Sequence, residues 1–399
     1  LKLLLLTNKI PYPANDGSSI AMASMVEAYR LNQVELSLLS LNTRKHFRSP
    51  ELIKASVPKG LRLEVIPANT DITLTRTLSN LLNGSPFHVS RFYIKKYAQR
   101  LEVLLQTEQF DVVQLDGLSM GVYLPIIRNY SKAKVVYRAH NLEYEIWNRH
   151  AATLANPLKK KYLKLQVNRL KRFERRILLE SDAVLAITDQ DKQKFKNEVQ
   201  GQQYHTTPCG VSLKEKPLPA KAGKKFDLVY LASFDWEPNV AGALWFIEEV
   251  WPLILKQRPG TTFHLGGRNI PPQLMKHKGG NLEITENVAS MRDFISEGRL
   301  VIIPLLAGSG MRIKILENMA LGCCQLSTTI GAEGIKLQDG KDIHLADDPK
   351  DFAAKAIELI NDKETRKATG KNARKTAEEF YSNRAIGQET VQFLEEKLC

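Results

Sequence analysis

The sequence predicts an α/β protein made of two doubly wound, Rossmann-like halves, and three features point there. At 399 residues the chain exceeds what one hydrophobic core ordinarily serves and suits two domains of about 200 residues each. Short apolar runs alternate with helix-period patterns in two separate series, the rhythm of βαβ units in a parallel sheet. Between the series, residues 214–225 (KEKPLPAKAGKK) lose all periodicity and are rich in Pro, Gly and Lys, as a linker is.

The elements follow in order. Residues 1–6 form an apolar run that stops before Asn8-Lys9-Ile10-Pro11, too short for a secretion signal or a membrane span and suited to a buried first strand. A helical pattern over 18–31 and apolar runs at 34–39, 112–115, 135–137 and 183–187 fill a first domain, 1–213. After the linker, runs at 228–231, 263–265, 300–303 and 324–327 define a second domain, 226–382. A last helical pattern occupies 383–399. No apolar stretch approaches the ~20 residues of a membrane span. Cys209, Cys323, Cys324 and Cys399 show neither a disulfide framework nor metal-ligand spacing, which suits a reducing cytoplasm.

The most informative stretch is 308–322, GSGMRIKILENMALG. Gly308, Ser309, Gly310 and Met311 run straight into an amphipathic helix, whose first turn leaves backbone N–H groups without helical partners and favours an anion. Arg312 and Lys314 add positive charge, and Glu317 offers two ribose hydroxyls a charged acceptor. Together these predict a site for a nucleotide diphosphate. The plainer reading is a loop feeding a core helix, with Ile313, Leu316 and Ala320 as packing.

Other loops end at the carboxyl edge of a predicted strand, where open α/β sheets bind ligands. Gly17, in the loop after the first strand, has backbone amides to present to a phosphate, though such turns often need a glycine anyway. His140, after the run 135–137, is placed to donate to a phosphate or sugar hydroxyl; a lone histidine is also commonly structural. Gly266-Gly267-Arg268 forms a third glycine turn. Asp189 and Asp191 have metal-ligand spacing, but Thr188 before them marks a helix start, where acids cap. No metal site is expected.

The segment 308–322 resembles the phosphate- and ribose-binding element of retaining glycosyltransferases of family 4 (glycosyl transferases group 1). The resemblance implies a GT-B fold, two Rossmann-like domains facing across a cleft, and a terminal helix that packs back on the first domain. It further implies transfer of a sugar, with retention, from a nucleotide-diphosphate sugar to a glycan, lipid-linked or other cell-envelope acceptor held by the first domain. No cofactor beyond the donor substrate is implied. In that family two glutamates stand seven residues apart. Glu317 matches the second, which generally takes the ribose; Ser309 replaces the first, which generally touches the donor sugar. The family's Gly-Gly pair in the first loop is here Asp16-Gly17. Its Arg and Lys after the first strand of the second domain are missing from 231–239, where Ser233 and Asn239 stand. Arg312 and Lys314 are the expected replacements, with His140 a third candidate for the chemistry. Gly17, Ser233, Gly267, Arg268, Ser309, Gly310, Met311 and Glu317 are the expected donor contacts. A nucleotide-sugar epimerase and a non-catalytic partner subunit remain alternatives.

Charge adds a partner. Of the net +14, residues 1–215 hold 32 Lys and Arg against 19 Asp and Glu. The densest part is 156–180, where nine cations from Lys159 to Arg176 back an apolar stripe of Leu163, Val167, Leu170 and Ile177. Without a nucleic-acid motif beside the charge, this predicts an anionic membrane surface or a lipid-phosphate acceptor rather than nucleic acid, and a peripheral place on the inner face of the membrane. A solvated face of a core-packed helix is the alternative.

Overall fold

The computed structural model describes residues 1–71, 84–154, 156–218, 224–308 and 310–398. The chain divides into two compact units, Leu1–Gly210 with Asn383–Cys399, and Val211–Ser382. Both are parallel sheets wrapped by helices, the architecture of the GT-B fold.

In the first unit, β1 (Lys2–Thr7), β2 (Glu35–Thr43), β3 (Arg62–Ala68), β4 (Val112–Asp116), β5 (Lys134–Ala139), β6 (Ala183–Ala186) and β7 (Gln203–Thr206) form a sheet of order β3-β2-β1-β4-β5-β6-β7. Leu3 to Leu6 are wholly buried because helices cover both faces of a central parallel strand. The helix Asn383–Leu398 lies on the helix Gly17–Leu31. Gly387 permits that approach: a Cβ there has no room against the Ala28 carbonyl. Ser24 Oγ ties the pair together, donating to Asn383 Oδ1 at 2.8 Å and accepting from the Gly210 amide at 2.9 Å.

In the second unit, β8 (Phe226–Ser233), β9 (Phe263–Arg268), β10 (Leu282–Glu286), β11 (Gly298–Ile303), β12 (Gln325–Ser327) and β13 (His344–Leu345) take the order β10-β9-β8-β11-β12-β13. Its core is aromatic on one face, with Phe246 5.0 Å from Phe263 and 5.8 Å from Phe352 between ring centroids. In each sheet the strand order reverses once, between β1 and β4 and between β8 and β11, and the crevice at the carboxyl ends there is where such sheets take ligands.

Four strands lack a clear apolar run: β3, β7, β10 and β13. All four are outermost in their sheets. An edge strand is covered by fewer neighbours, so β3 and β7 are mostly half-exposed and polar-interrupted, and the pattern is diluted.

Candidate functional site

The segment 308–322 becomes a glycine loop followed by the helix Ile313–Ala320. Gly308 (φ +134°) and Gly310 (φ +80°) both take left-handed backbone, which suits glycine and strains other residues. At Gly308 space matters too, since a Cβ would lie 2.6 Å from Arg312 Nη2 and 2.7 Å from the Trp236 ring. Ser309 lies outside the described residues. Arg312 is at the helix's cap position, buried, with its guanidinium 5.2 Å from the Trp236 ring centre and Nη1 donating to the Gly310 carbonyl. The cation thus braces the loop from within.

Lys314 and Glu317 occupy the first two turns. Lys314 Nζ donates to Asn239 Oδ1 at 2.9 Å and lies 5.0 Å from the Tyr230 ring centre. Asn239 is itself fixed: it accepts from the Tyr230 hydroxyl at 3.2 Å and donates to the Ser233 carbonyl at 2.6 Å. The cations of the helix therefore sit against the 233–239 loop, which has none of its own. Burial, then the neighbouring Arg312, push the Lys314 ammonium down to about 7, against the pull of Glu317. Burial raises the Glu317 carboxyl to about 7, with Lys314 opposing. The pair is poised to respond to an arriving anion.

Arg268 ends β9 beside the same loop. Its Nε donates to Ser233 Oγ at 2.9 Å and is 3.4 Å from Asp235 Oδ2. Gly267 departs from the sequence expectation of a turn. It lies within β9, paired with Ala232, and a Cβ would run into the Ala232 carbonyl and stand 2.8 Å from Phe234. Its missing side chain is explained by strand packing. Met311 is half-buried and packs on the cluster containing Ile303, Ile315 and Met319.

In the first unit, Gly17 opens the helix Gly17–Leu31, and a Cβ there would meet nothing within 4 Å. Asp16 caps that helix, accepting from the Ser19 amide at 3.0 Å and from Ser19 Oγ at 2.9 Å, with Lys9 Nζ at 2.7 Å. Burial works to raise the Asp16 carboxyl, but Lys9 and the Ser19 amide hold it down to about 2. The acid that replaces the first glycine is thus occupied by its own helix.

His140 sits just past β5, its Nε2 2.5 Å from Asp116 Oδ1 at the end of β4. Asp116 Oδ2 is 3.3 Å from Arg138 Nη1, and both of those side chains are fully buried. Burial opposes ionisation of Asp116, yet Arg138 and then His140 hold its carboxyl below the usual range. His140, about one-quarter exposed at 23%, is the outward end of this chain of contacts. Asp116 and Arg138 were not singled out from sequence, and Asn239 was named only as standing where the expected cations are missing. A charged residue closing the apolar run 112–115 was the available signal for Asp116; nothing local marks Asn239 as the partner of Lys314.

Residues 225–362 match the model of glycosyl transferases group 1, and residues 51–215 match that of Glycosyltransferase Family 4. The chain belongs to this family. A stretch of 176 residues, 41% of the chain, is 26% identical to an uncharacterized 44.6 kDa protein in the cps region of Klebsiella pneumoniae and spans 45% of that protein. Among solved structures, sucrose-phosphate synthase from Thermosynechococcus elongatus superposes with a TM-score of 0.69 at 14% identity over 99% of both chains. A mutant TarM of S. aureus holding UDP gives 0.66 at 11% identity over 98% of this chain and 99% of that one. HepE of Anabaena in complex with UDP gives 0.65 at 14%, covering 99% and 100%. At these identities the likeness establishes the fold.

Proposed function

We propose that this chain is a retaining glycosyltransferase that moves a sugar from a nucleotide-diphosphate donor, bound by the second unit, to a glycan or lipid-linked acceptor bound by the first. One observation carries the reading: Arg312 and Lys314, at the start of one helix that carries Glu317 one turn further on, lie against the Ser233–Asn239 loop at the carboxyl edge of β8, beside the switch point with β11. Family membership and the UDP held by HepE support it. Arg312 and Lys314 neutralise the charge that grows on the departing diphosphate, without a metal. Glu317 takes the ribose, and amides at Gly310 and Met311 meet phosphate oxygens. His140 donates to a phosphate or sugar hydroxyl. The acceptor attacks on the face from which the phosphate leaves, and a phosphate oxygen takes its proton.

The test is a panel of nucleotide sugars offered to the purified protein, with release of free nucleotide and product anomeric configuration as readouts. Acceptor-dependent release with the donor's anomeric configuration kept is expected. An inverted product removes the retaining assignment; absence of turnover with every donor removes the catalytic one.

Glu317→Ala should weaken binding of UDP or the active nucleotide by about 1.5–3 kcal/mol, since two hydroxyls lose a charged acceptor. Calorimetry with the nucleotide measures it, and unchanged affinity would place the ribose elsewhere. The same titration has a pH signature. Above pH 7 Glu317 is already largely ionised, whereas Lys314 is losing its proton, so affinity should fall by up to about tenfold per pH unit between pH 7.5 and 9. In Lys314→Met the slope should vanish.

The basic helix Pro157–Glu180 also enters the proposal. Val167, Leu170 and Ile177 face the core, and Glu174 is buried with them, accepting from the amides of Glu143 and Tyr144 at 3.0 and 3.2 Å. Lys159, Lys161 and Lys164 are exposed, with Leu158 78% exposed and Leu165 40%. Cations interleaved with exposed leucines suit an anionic membrane surface. Each cation contributes about 1 kcal/mol there, so Lys160→Glu, Lys161→Glu and Lys164→Glu together should release the protein from anionic vesicles in sedimentation. Donor hydrolysis in solution should persist. Binding that ignores both salt and charge reversal would leave the helix as a solvated face.

A further inference from the structure

The second unit holds a cavity of about 320 Å³ at the amino-terminal edge of its sheet. It is bounded by Gly298 and Arg299 at the start of β11, by Cys323 and Cys324 just before β12, and by Lys224 before β8. In a parallel sheet this edge is opposite the one that carries Ser233 and Arg268. One wall is a single stripe of the helix Lys363–Phe380: Lys363, Arg366, Lys367, Gly370, Lys371 and Arg374 recur at helical spacing. Lys224 and Arg299 line the cavity as well.

Seven cations thus converge on one concavity, and no carboxylate lines it among the described residues. Acids reach some of the cations from outside: Arg299 pairs with Asp227 at 3.0 Å, Lys367 with Glu364 at 2.9 Å and Arg374 with Glu378 at 2.6 Å, while Lys224 donates to the Ser296 carbonyl at 2.6 Å. Arg366 donates to the Leu359 and Ile360 carbonyls, which fixes its guanidinium without neutralising it. The two thiols supply no charge, because burial raises both to about 12. Gly370 lets the helix close on the backbone at Gly322, whose carbonyl a Cβ there would strike. Like charges so gathered repel one another, and a cleft focuses their field on whatever enters. The volume is at the lower end of the range for small-ligand pockets.

We propose that this cavity is a second anion site, for a small phosphate-bearing molecule such as a diphosphate or a sugar phosphate, separate from the donor elements of the same unit. Arginines already held by carbonyls and carboxylates present their remaining N–H donors to phosphate oxygens, and the lysines supply point charge.

Calorimetry of the full chain at low ionic strength, with inorganic pyrophosphate and with glucose 1-phosphate, tests it. A saturable pyrophosphate site should survive Arg312→Ala, which disables the donor elements. Lys363→Glu with Lys371→Glu, both exposed, should weaken that site at least about tenfold without lowering the melting temperature. Lys95→Glu with Lys96→Glu, an equal change of net charge in the first unit, should leave it intact. A parallel arm uses phosphatidylglycerol vesicles: binding to them that the 363/371 reversal abolishes, with no soluble phosphate bound, makes a lipid headgroup the source of the phosphate. Failure of all three probes to bind, or binding that the 363/371 reversal does not move, overturns the proposal.

Discussion

Arg312→Ala should lower kcat by at least about tenfold, and toward a hundredfold if Arg312 is the main group stabilising the leaving diphosphate. The expectation rests on where the guanidinium is held: buried, against the Trp236 ring, in contact with the Gly310 carbonyl, and followed two residues later by a lysine that burial has partly discharged. With Lys314 shifted to about 7, Arg312 is the full-time cation of the pair. Arg312→Lys should recover only part of the rate, because an ammonium keeps the charge and loses the planar stack. Circular dichroism and thermal melting separate a lost role from a lost loop. Wild-type turnover in a folded Arg312→Ala protein would move the leaving-group role to Arg268 or His140.

Asp116→Ala should destabilise the first unit by about 3–5 kcal/mol, the largest stability effect expected in the chain, since it leaves the Arg138 guanidinium buried without its carboxylate. Denaturant unfolding measures it. A second change, Arg138→Met, should recover much of the loss, because a buried pair replaced by apolar groups is often close to neutral. The carboxyl is held below its ordinary value in the folded state, so its contribution is present above the ordinary carboxylate pKa and is lost as the pH falls below that range. A stability profile flat in acid, or an Asp116→Ala protein as stable as the parent, would contradict the pairing.

The interior strands were legible because burial on both faces demands unbroken apolar runs, as in Leu3 to Leu6 and Leu300 to Ile303. The edge strands β3, β7, β10 and β13 were not, because one side of each is open and polar residues interrupt the run. The glycine-led helix was legible as a motif because backbone conformation and charge are local properties. What Lys314 touches was not: Asn239 is 75 residues away and meets it only because β8 and β11 are neighbours. Gly267 shows the converse error, a glycine assigned to a ligand-facing turn when the carbonyl of the adjacent strand is what excludes a side chain. The stripe of Lys363, Arg366, Lys367, Lys371 and Arg374 has a visible period, but a charged helical face ordinarily means solvent. Only the walls opposite it distinguish a cavity.

The helix Asn383–Leu398 belongs to the first unit, yet it follows the whole of the second in the chain. Leu394 and Ile386 are buried in that first unit, and Asn383 caps a hydrogen-bonded link to Ser24 and Gly210. During synthesis, therefore, the first 210 residues leave the ribosome with part of their apolar surface uncovered and stay so until the second unit has been made. Domains emerge at ~5–20 residues per second, so the exposed face of the helix Gly17–Leu31 waits on the order of ten seconds or more for its cover. Of the two units, the one whose synthesis starts earlier is the one whose packing is completed later.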